Sequence, residues 1–254
     1  MPGVPFTRSD QVTSWDIGTV YFLEDNLSAF AGWSSTVYPV FNTEEPESVG
    51  QVPESGGQVE SGLRWRNDFA TLSTALYQAT RKNAFTTLTV PNPAGPGNLS
   101  EPTVFSYRSR GWETDLNLRP AEGWTIIANY TVANATITAL PTAPANVGKA
   151  APGTPATLAN LWTSYELPFG GAPLQFSAGV RYRSHMYADM AQTRFIPGVP
   201  LFDAALAVPL HAFTFRIGVD NLADRRNWAY GAGTGSGVMP GQGRTYFFKV
   251  DASL

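Results

Sequence analysis

The chain contains no cysteine and only two histidines among its 254 residues. Without cysteine it cannot form disulfides, thiol nucleophiles or cysteine-based zinc sites. Two histidines are too few for a histidine-built metal site, so we expect no metal and no cofactor. No nucleophile elbow accompanies either histidine, and we expect no catalytic residues and no enzymatic activity.

Charge and long hydrophobic runs are also scarce. Charged residues make up 15% of the chain, below the roughly 25% of ordinary soluble domains, and the formal net charge is −3. The lack of basic runs argues against nucleic-acid partners. No segment reaches the roughly 18 consecutive apolar residues of a membrane helix. The first ten residues lack the basic and apolar regions of a secretory signal, so we expect no signal peptide in this chain.

Alternating apolar and polar residues are the main pattern that is present. Leu174, Phe176 and Val180, for example, alternate with Gln175 and Ser177. Successive side chains of a strand point to opposite faces, so this pattern predicts strands with one apolar and one polar face. About eleven are predicted, near residues 13–23, 27–38, 58–66, 69–85, 104–118, 124–138, 156–167, 174–187, 199–209, 212–220 and 244–253.

Short and long connections alternate between these strands. The long ones are rich in glycine and proline and cover residues 39–57, 86–103, 139–155, 188–198 and 221–243. In an antiparallel meander this order puts all short turns at one end and all long loops at the other. Short periplasmic turns and long extracellular loops are typical of outer-membrane barrels. The sequence therefore predicts an all-β, antiparallel transmembrane β-barrel in the outer membrane of a Gram-negative cell, in contact with its lipid.

Each face of the predicted strands has its own candidate residues. The polar face carries charges of both signs, which fits a lumen in which opposite charges pair across strands. The predicted lumen residues are Glu60, Arg64, Glu113, Asp115, Arg181, Arg183, Arg216, Asp220, Lys249 and Asp251. Aromatic rings in or at the ends of strands are expected to anchor at the headgroup level. The predicted anchors are Trp15, Trp65, Trp112, Trp124, Trp162, Tyr182 and Tyr246.

The odd strand count predicts that the barrel does not close by itself. An antiparallel barrel closes with an even number of strands and with both termini on one side. Eleven is half of the roughly 22 strands of plugged outer-membrane transporters. We therefore expect residues 1–254 to be an incomplete half barrel, the second half of a larger one.

Several short motifs resemble one family, and they occur in that family's order. The matching segments are residues 25–30 (DNLSAF), 58–63 (QVESGL), 80–83 (TRKN), 108–113 (RSRGWE), 152–155 (PGTP), 160–165 (NLWTSY), 218–224 (GVDNLAD) and 240–245 (PGQGRT). Together they resemble the C-terminal half of the β-barrel of TonB-dependent receptors, in particular the siderophore-uptake branch.

This resemblance implies energised uptake of ferric siderophores across the outer membrane. The family also has a plug domain, a TonB box that contacts the energy transducer, and earlier barrel strands. We expect these to be absent from this chain, so that TonB would act only through the missing plug and the chain alone would not transport. Arg194, Trp228 and Tyr230, in two of the long loops, are the candidates for contact with an anionic ferric ligand.

Three other interpretations remain open. The chain could be a complete small outer-membrane channel, which would need an even strand count. It could be a soluble β-sandwich binding module, with the apolar faces packed as a core. It could also be a truncated reading frame without activity.

Overall fold

The computed structural model describes residues 11–38, 53–169, 172–231 and 237–252. Its strands in chain order are β1 (Trp15–Glu24), β2 (Leu27–Tyr38), β3 (Glu54–Arg66), β4 (Ala70–Pro91), β5 (Asn98–Ala121), β6 (Trp124–Ala139), β7 (Thr157–Phe169), β8 (Ala172–Arg183), β9 (Met186–Tyr187), β10 (Phe195–Ile196), β11 (Val199–Leu210), β12 (Phe213–Asp220), β13 (Trp228–Tyr230), β14 (Val238–Pro240) and β15 (Thr245–Ala252). One short 3₁₀ helix, Pro144–Asn146, lies between β6 and β7.

Eleven of these strands form one antiparallel sheet in the order β1-β2-β3-β4-β5-β6-β7-β8-β11-β12-β15. Each strand pairs with the next main strand of the chain, because short turns such as that of Gly123 (φ 72°) reverse the direction at one end. The predicted all-β meander of eleven strands is confirmed. The sheet is open: among the described residues, β1 and β15 each have a neighbour on one side only.

The four remaining strands form two small hairpins inside the long connections. Strands β9 and β10 lie between β8 and β11, and β13 and β14 lie between β12 and β15. The predicted strand over residues 174–187 was therefore too long, because β8 ends at Arg183 and β9 belongs to a separate pair.

The predicted loop over residues 86–103 is mostly strand. Strand β4 continues to Pro91 and β5 begins at Asn98, so only residues 92–97 connect them. The reason is local. Residues 84–91 are rich in threonine, phenylalanine, leucine and valine, which favour a pleated strand, whereas glycine and proline concentrate at the tip.

Pairing divides the side chains of the sheet into two faces. The apolar face carries, among others, Leu161, Ala178, Phe202, Ile217 and Phe248. The opposite or charged face carries, among others, Arg181, Asp203, Arg216 and Lys249.

The buried hydrophobic clusters of the described chain lie in the connections and at the strand ends next to them. One cluster joins Ile137 of β6, Leu140 of the connection after it and Met190 of the β8–β11 connection. A second joins Met186, Ala188 and Ile196, with Tyr230 and Val238 packed against it. In contrast, the rings of the apolar face are open to the surroundings: Phe248 is 66% exposed and Tyr246 72% exposed. An apolar face this extensive requires an apolar environment.

Candidate functional site

All of the predicted lumen residues lie on the charged face. The strand registers place Glu60, Arg64, Glu113, Asp115, Arg181, Arg183, Arg216, Asp220, Lys249 and Asp251 on this one side of the sheet. A period of two residues fixes the face of every side chain once the register is set, and the alternation in the sequence was sufficient to assign these positions.

Arg181 forms a two-point ion pair with Asp203 on the neighbouring strand. Its Nε and Nη2 atoms lie 2.6 and 2.9 Å from the two carboxylate oxygens. Asp203 is buried, and its Oδ1 also accepts a hydrogen bond from the backbone N–H of Asn221 at 2.9 Å. Sequence reasoning missed Asp203, because its neighbours on the same face, Leu201 and Ala205, give no polar stripe.

A second charge cluster lies near the short turns. Asp251 accepts from Lys249 Nζ at 2.6 Å and lies 3.3 Å from Arg216 Nε across the β12–β15 pair. These groups are partly exposed, so their attraction contributes little stability by itself. Together Arg216, Lys249 and Asp251 form a patch of paired charges on the charged face.

A third cluster lies towards the long connections. Arg81 of β4 pairs with both carboxylate oxygens of Glu54 of β3, and its guanidinium lies 6.0 Å from the ring centre of Tyr107 on β5. Sequence reasoning placed residues 39–57 in a loop and therefore missed Glu54. The available signal was its phase, since Glu54 has the same parity as Glu60 and Arg64.

Asn221 folds the long connection after β12 back onto the sheet. Its side chain is 2% exposed; Oδ1 accepts from the Arg225 N–H at 2.9 Å, and Nδ2 donates to the Arg225 carbonyl at 2.9 Å. Asp224 Oδ1 accepts a further hydrogen bond from the Arg244 N–H at 3.0 Å. Both residues have left-handed backbone angles, which asparagine and aspartate tolerate better than other residues with a side chain.

The described parts of the β6–β7, β8–β11 and β12–β15 connections contact one another and form a layer at one end of the sheet. Lys149 donates from Nζ to the Ala191 carbonyl at 3.1 Å, which joins the β6–β7 and β8–β11 connections. The Gly153 N–H donates to the Tyr187 carbonyl at 2.8 Å. We call these packed connections the loop layer. Any ligand approaching the charged face from this end meets the loop layer first.

The three predicted ligand residues lie in two adjacent hairpins of the loop layer. Arg194 precedes β10 and is half exposed, and its guanidinium lies 3.5 Å from Asp189. Trp228 begins β13 and is 42% exposed, while its carbonyl accepts from Arg183 Nη2 at 2.6 Å. Tyr230 differs from both, because its ring packs over Gly153 and against the second buried cluster.

Asp189 organises the turn that carries Arg194. Its carboxylate accepts from the Thr193 N–H and hydroxyl at 3.0 Å each and from the Arg194 N–H at 2.7 Å. Burial raises the pKa of Asp189, but these hydrogen bonds and the charge of Arg194 outweigh it, so its pKa lies below the ordinary value. The charged form therefore stabilises the turn.

This pKa direction predicts how the turn responds to acid. A group with a depressed folded pKa stabilises the fold fully above its unfolded pKa and loses that effect as pH falls through the folded value. We expect Asp189→Asn to speed amide exchange at Thr193 and Arg194 about fivefold at neutral pH, on the order of 1 kcal/mol. Hydrogen-exchange mass spectrometry should show this ratio falling towards one as the pH drops through the lowered pKa of Asp189. A ratio independent of pH would contradict the role of the carboxylate.

Six of the seven predicted aromatic anchors lie on the apolar face. Trp112 contacts Tyr130 edge-on at 5.6 Å, and Trp124 contacts Tyr165 at 6.3 Å. The six are Trp15, Trp65, Trp112, Trp124, Tyr182 and Tyr246.

Trp162 is the exception, because it lies on the other face from the six remaining predicted anchors. It lies on the charged face, directly opposite Gly179 of β8. A side-chain carbon on Gly179 would lie 2.2 Å from the indole, so the glycine makes room for the ring. Three other opposed pairs on the charged face share this arrangement. They are Phe30 with Gly62, Tyr77 with Gly111, and Phe247 with Gly218.

Among the described residues, no group of three or more His, Cys, Asp or Glu side chains is arranged to hold a metal ion. No helix in these parts of the chain is both long and apolar enough to cross a membrane.

Comparison with known proteins gives consistent matches. The family model described as "TonB dependent receptor-like, beta-barrel" matches residues 2–222. The ferrioxamine receptor of Yersinia enterocolitica is 25% identical over 228 residues, which covers 86% of this chain and 30% of that protein. A probable TonB-dependent siderophore receptor of Acinetobacter baumannii, PiuA, is also 25% identical and covers 86% of this chain and 31% of that protein.

Solved structures show the same fold. BauA, the ferric preacinetobactin receptor from Acinetobacter baumannii, matches with a TM-score of 0.76 and 20% identity, covering 92% of this chain and 35% of that one. The ferric yersiniabactin uptake receptor FyuA from Yersinia pestis matches with a TM-score of 0.75 and 19% identity, covering 92% and 36%. The chain thus spans about a third of the length of these proteins.

Proposed function

The chain belongs to the TonB-dependent receptor β-barrel family, and from this premise we propose that it forms part of the barrel wall of an outer-membrane receptor that takes up ferric siderophores. The observation that carries the proposal is the division of one open sheet into an exposed apolar face and a charged face. In this proposal lipid covers the apolar face, and the charged face lines the lumen against a plug.

The open sheet supports a part of a barrel over the other interpretations. A β-sandwich requires a second sheet packed on the apolar face, and the described residues contain one large sheet and two small hairpins. A complete small channel requires β1 to pair with β15. The two strands run in the same direction, because eleven antiparallel strands separate the ends by an even number of reversals. An odd number of further strands is therefore needed between β15 and β1 to close the barrel with antiparallel pairing throughout.

We propose that residues 1–254 are one C-terminal barrel segment and that the plug, the TonB box and the earlier strands are supplied by sequence outside it. The ferrioxamine receptor and PiuA, two of the relatives that this chain matches, are about three times as long, which supports this division. The chain by itself would then bind neither TonB nor the transported ligand fully, and it would perform no enzymatic reaction.

Within the loop layer we propose Trp228 and Arg194 as ligand contacts. Trp228 offers an exposed indole and Arg194 an exposed guanidinium, which suit a planar or anionic ferric complex. Tyr230 instead supports the loop layer, because its ring packs over Gly153 and against the second buried cluster. We therefore propose no ligand contact for Tyr230.

Uptake measurements test the proposal. A strain with this coding region deleted in frame is complemented with wild type or with Trp228→Ala, and uptake of radiolabelled ferric hydroxamates and catecholates is followed under iron limitation. We expect wild type to restore uptake of at least one complex, and an uncoupler of the proton-motive force to abolish it.

The tryptophan variant is expected to raise the concentration for half-maximal uptake about tenfold, because buried aromatic contacts are often binding hot spots. Leu222→Ala serves as the control, since Leu222 is 49% exposed in the same connection and is not a proposed contact. If wild type restores the uptake of no ferric complex, the proposed function is wrong. Equal uptake by wild type and the Trp228 variant would overturn only the ligand contact.

A further inference from the structure

Among the strands that the structure describes, the apolar face has one cluster of charged residues, and that cluster is entirely basic. Arg108 and Arg110 of β5 lie on this face, and Lys82 of β4 lies diagonally beside Arg108. In the paired strands of the described chain, acidic side chains lie on the charged face or, like Glu24, beside a short turn at the opposite end. The basic patch therefore has no acidic neighbour on its own face.

The patch is surrounded by hydrogen-bonding groups. Gln78 lies opposite Arg110 and accepts from its Nε at 2.5 Å, which orients the guanidinium. On the other side, Asn134 lies opposite Arg110. Thr80 and Thr136 flank Arg108 in the same way. Amide and hydroxyl groups beside two guanidinium groups form a surface suited to phosphate oxygens.

The position of the patch along the strand is informative. Arg110 and Arg108 precede Leu118, which lies near the short-turn end of β5, by eight and ten residues. A tilted strand crosses the hydrocarbon layer in about 9–11 residues, so the two arginines reach the headgroup level on the long-loop side. Trp112 and Tyr130, in ring contact at 5.6 Å, lie just below them on the same face. Aromatic pairs of this kind mark the edge of the hydrocarbon layer.

We infer that Lys82, Arg108 and Arg110 bind the phosphate groups of an anionic glycolipid in the outer leaflet of the membrane. The two arginines repel each other and have no acidic neighbour on the described part of this face, and a phosphate between them removes that repulsion. The adjacent aromatic pair contacts the acyl chains or sugar ring of the same lipid. The inference depends on the proposed membrane orientation, with the long connections outside.

The test uses the full-length receptor extracted from outer membranes in mild detergent. A bisphosphorylated diglucosamine glycolipid is added in mixed micelles, and the lipid retained per protein is measured by mass spectrometry after gel filtration. We expect Arg108→Gln/Arg110→Gln to reduce retention about tenfold or more, since a basic residue near an anionic surface contributes roughly fivefold each. Arg108→Lys/Arg110→Lys should keep most of the retention.

Arg225→Gln/Arg226→Gln is the matched control, because it removes the same charge from exposed positions in the β12–β15 connection. It should retain the lipid as wild type does. The dephosphorylated glycolipid should not compete, and millimolar inorganic phosphate should not displace the bound lipid. If inorganic phosphate displaced the bound lipid, the patch would be a site for a free anion, and the inference would be wrong. The inference would also be wrong if the Arg225/Arg226 variant lost as much lipid retention as the Arg108/Arg110 variant, or if the Arg108/Arg110 variant lost none.

Two measurements keep the test independent of folding and of the proposed function. Heat-modified migration on gels checks that each variant is folded, and the single change Arg108→Gln, with a smaller expected loss, replaces the double variant if that one fails to fold. Lipid retention is measured on purified protein without siderophore. Failure of ferric uptake with normal lipid retention would count against the proposed function alone.

Discussion

Replacing Ala178 with arginine is expected to lower the amount of folded receptor in the outer membrane, whereas the same change at Ser177 is expected to have a small effect. The two residues are neighbours in the middle of β8 and are both small. Ala178 lies on the apolar face between Thr163 and Ala204, and Ser177 lies on the charged face opposite Ser164. The comparison therefore changes only the face that receives the charge.

The expected difference follows from the cost of charge in hydrocarbon. An arginine on the lipid face of a transmembrane barrel costs about 2–4 kcal/mol near the bilayer midplane. On the charged face, the guanidinium remains in a polar environment, and the loss is limited to the Ser177–Ser164 hydrogen bond of 3.1 Å, about 1 kcal/mol. Urea unfolding of the full-length receptor in lipid vesicles gives both free energies of unfolding. A larger loss at Ser177 than at Ala178 would reverse the assignment of the two faces.

The second large effect is expected at Gly179, under Trp162. A valine there would place its Cβ 2.2 Å from indole Cε3 and 2.9 Å from the Leu161 carbonyl oxygen. The ring can rotate away, but the backbone carbonyl cannot move without disturbing the β7–β8 ladder. Overpacking of this kind costs about 1–3 kcal/mol. We expect Gly179→Val to lower the melting temperature of the purified receptor by several degrees.

Two further variants isolate the cause. Gly95→Ala, in the connection between β4 and β5, has no atom within 4 Å of the added carbon and should leave the melting temperature unchanged. Trp162→Ala combined with Gly179→Val should be less destabilised than the sum of the two single changes, because the clash with the indole is gone. Strict additivity would show that the ring and the glycine do not interact.

The glycine–aromatic pairs also explain why Trp162 lies on the charged face, apart from the other six predicted anchors. Residue type and position within a strand do not distinguish Trp162 from the other predicted anchors. The difference lies in the partner: a glycine directly across the ladder offers space for a ring on the charged face. Such a partner is known only once the register between β7 and β8 is known.

The site shows the same division. Arg181 and Arg183 were predicted on the charged face because alternation within one strand determines the face of each side chain. The partners were not predictable in this way. Asp203 lies 22 residues after Arg181 in the chain, and the two meet only because β8 pairs directly with β11 after the β9–β10 hairpin has left the sheet.

The sequence by itself determined the strand count, the separation of apolar and polar faces, the location of the long connections and the family resemblance. These properties are periodic or local, so each segment carries its own signal. Only the tertiary structure decided where β4 and β5 end, which charges pair, how Tyr230 and Trp162 pack, and that the basic residues of β4 and β5 form one patch. These depend on register between strands distant in sequence, and a shift of one residue would exchange the two faces.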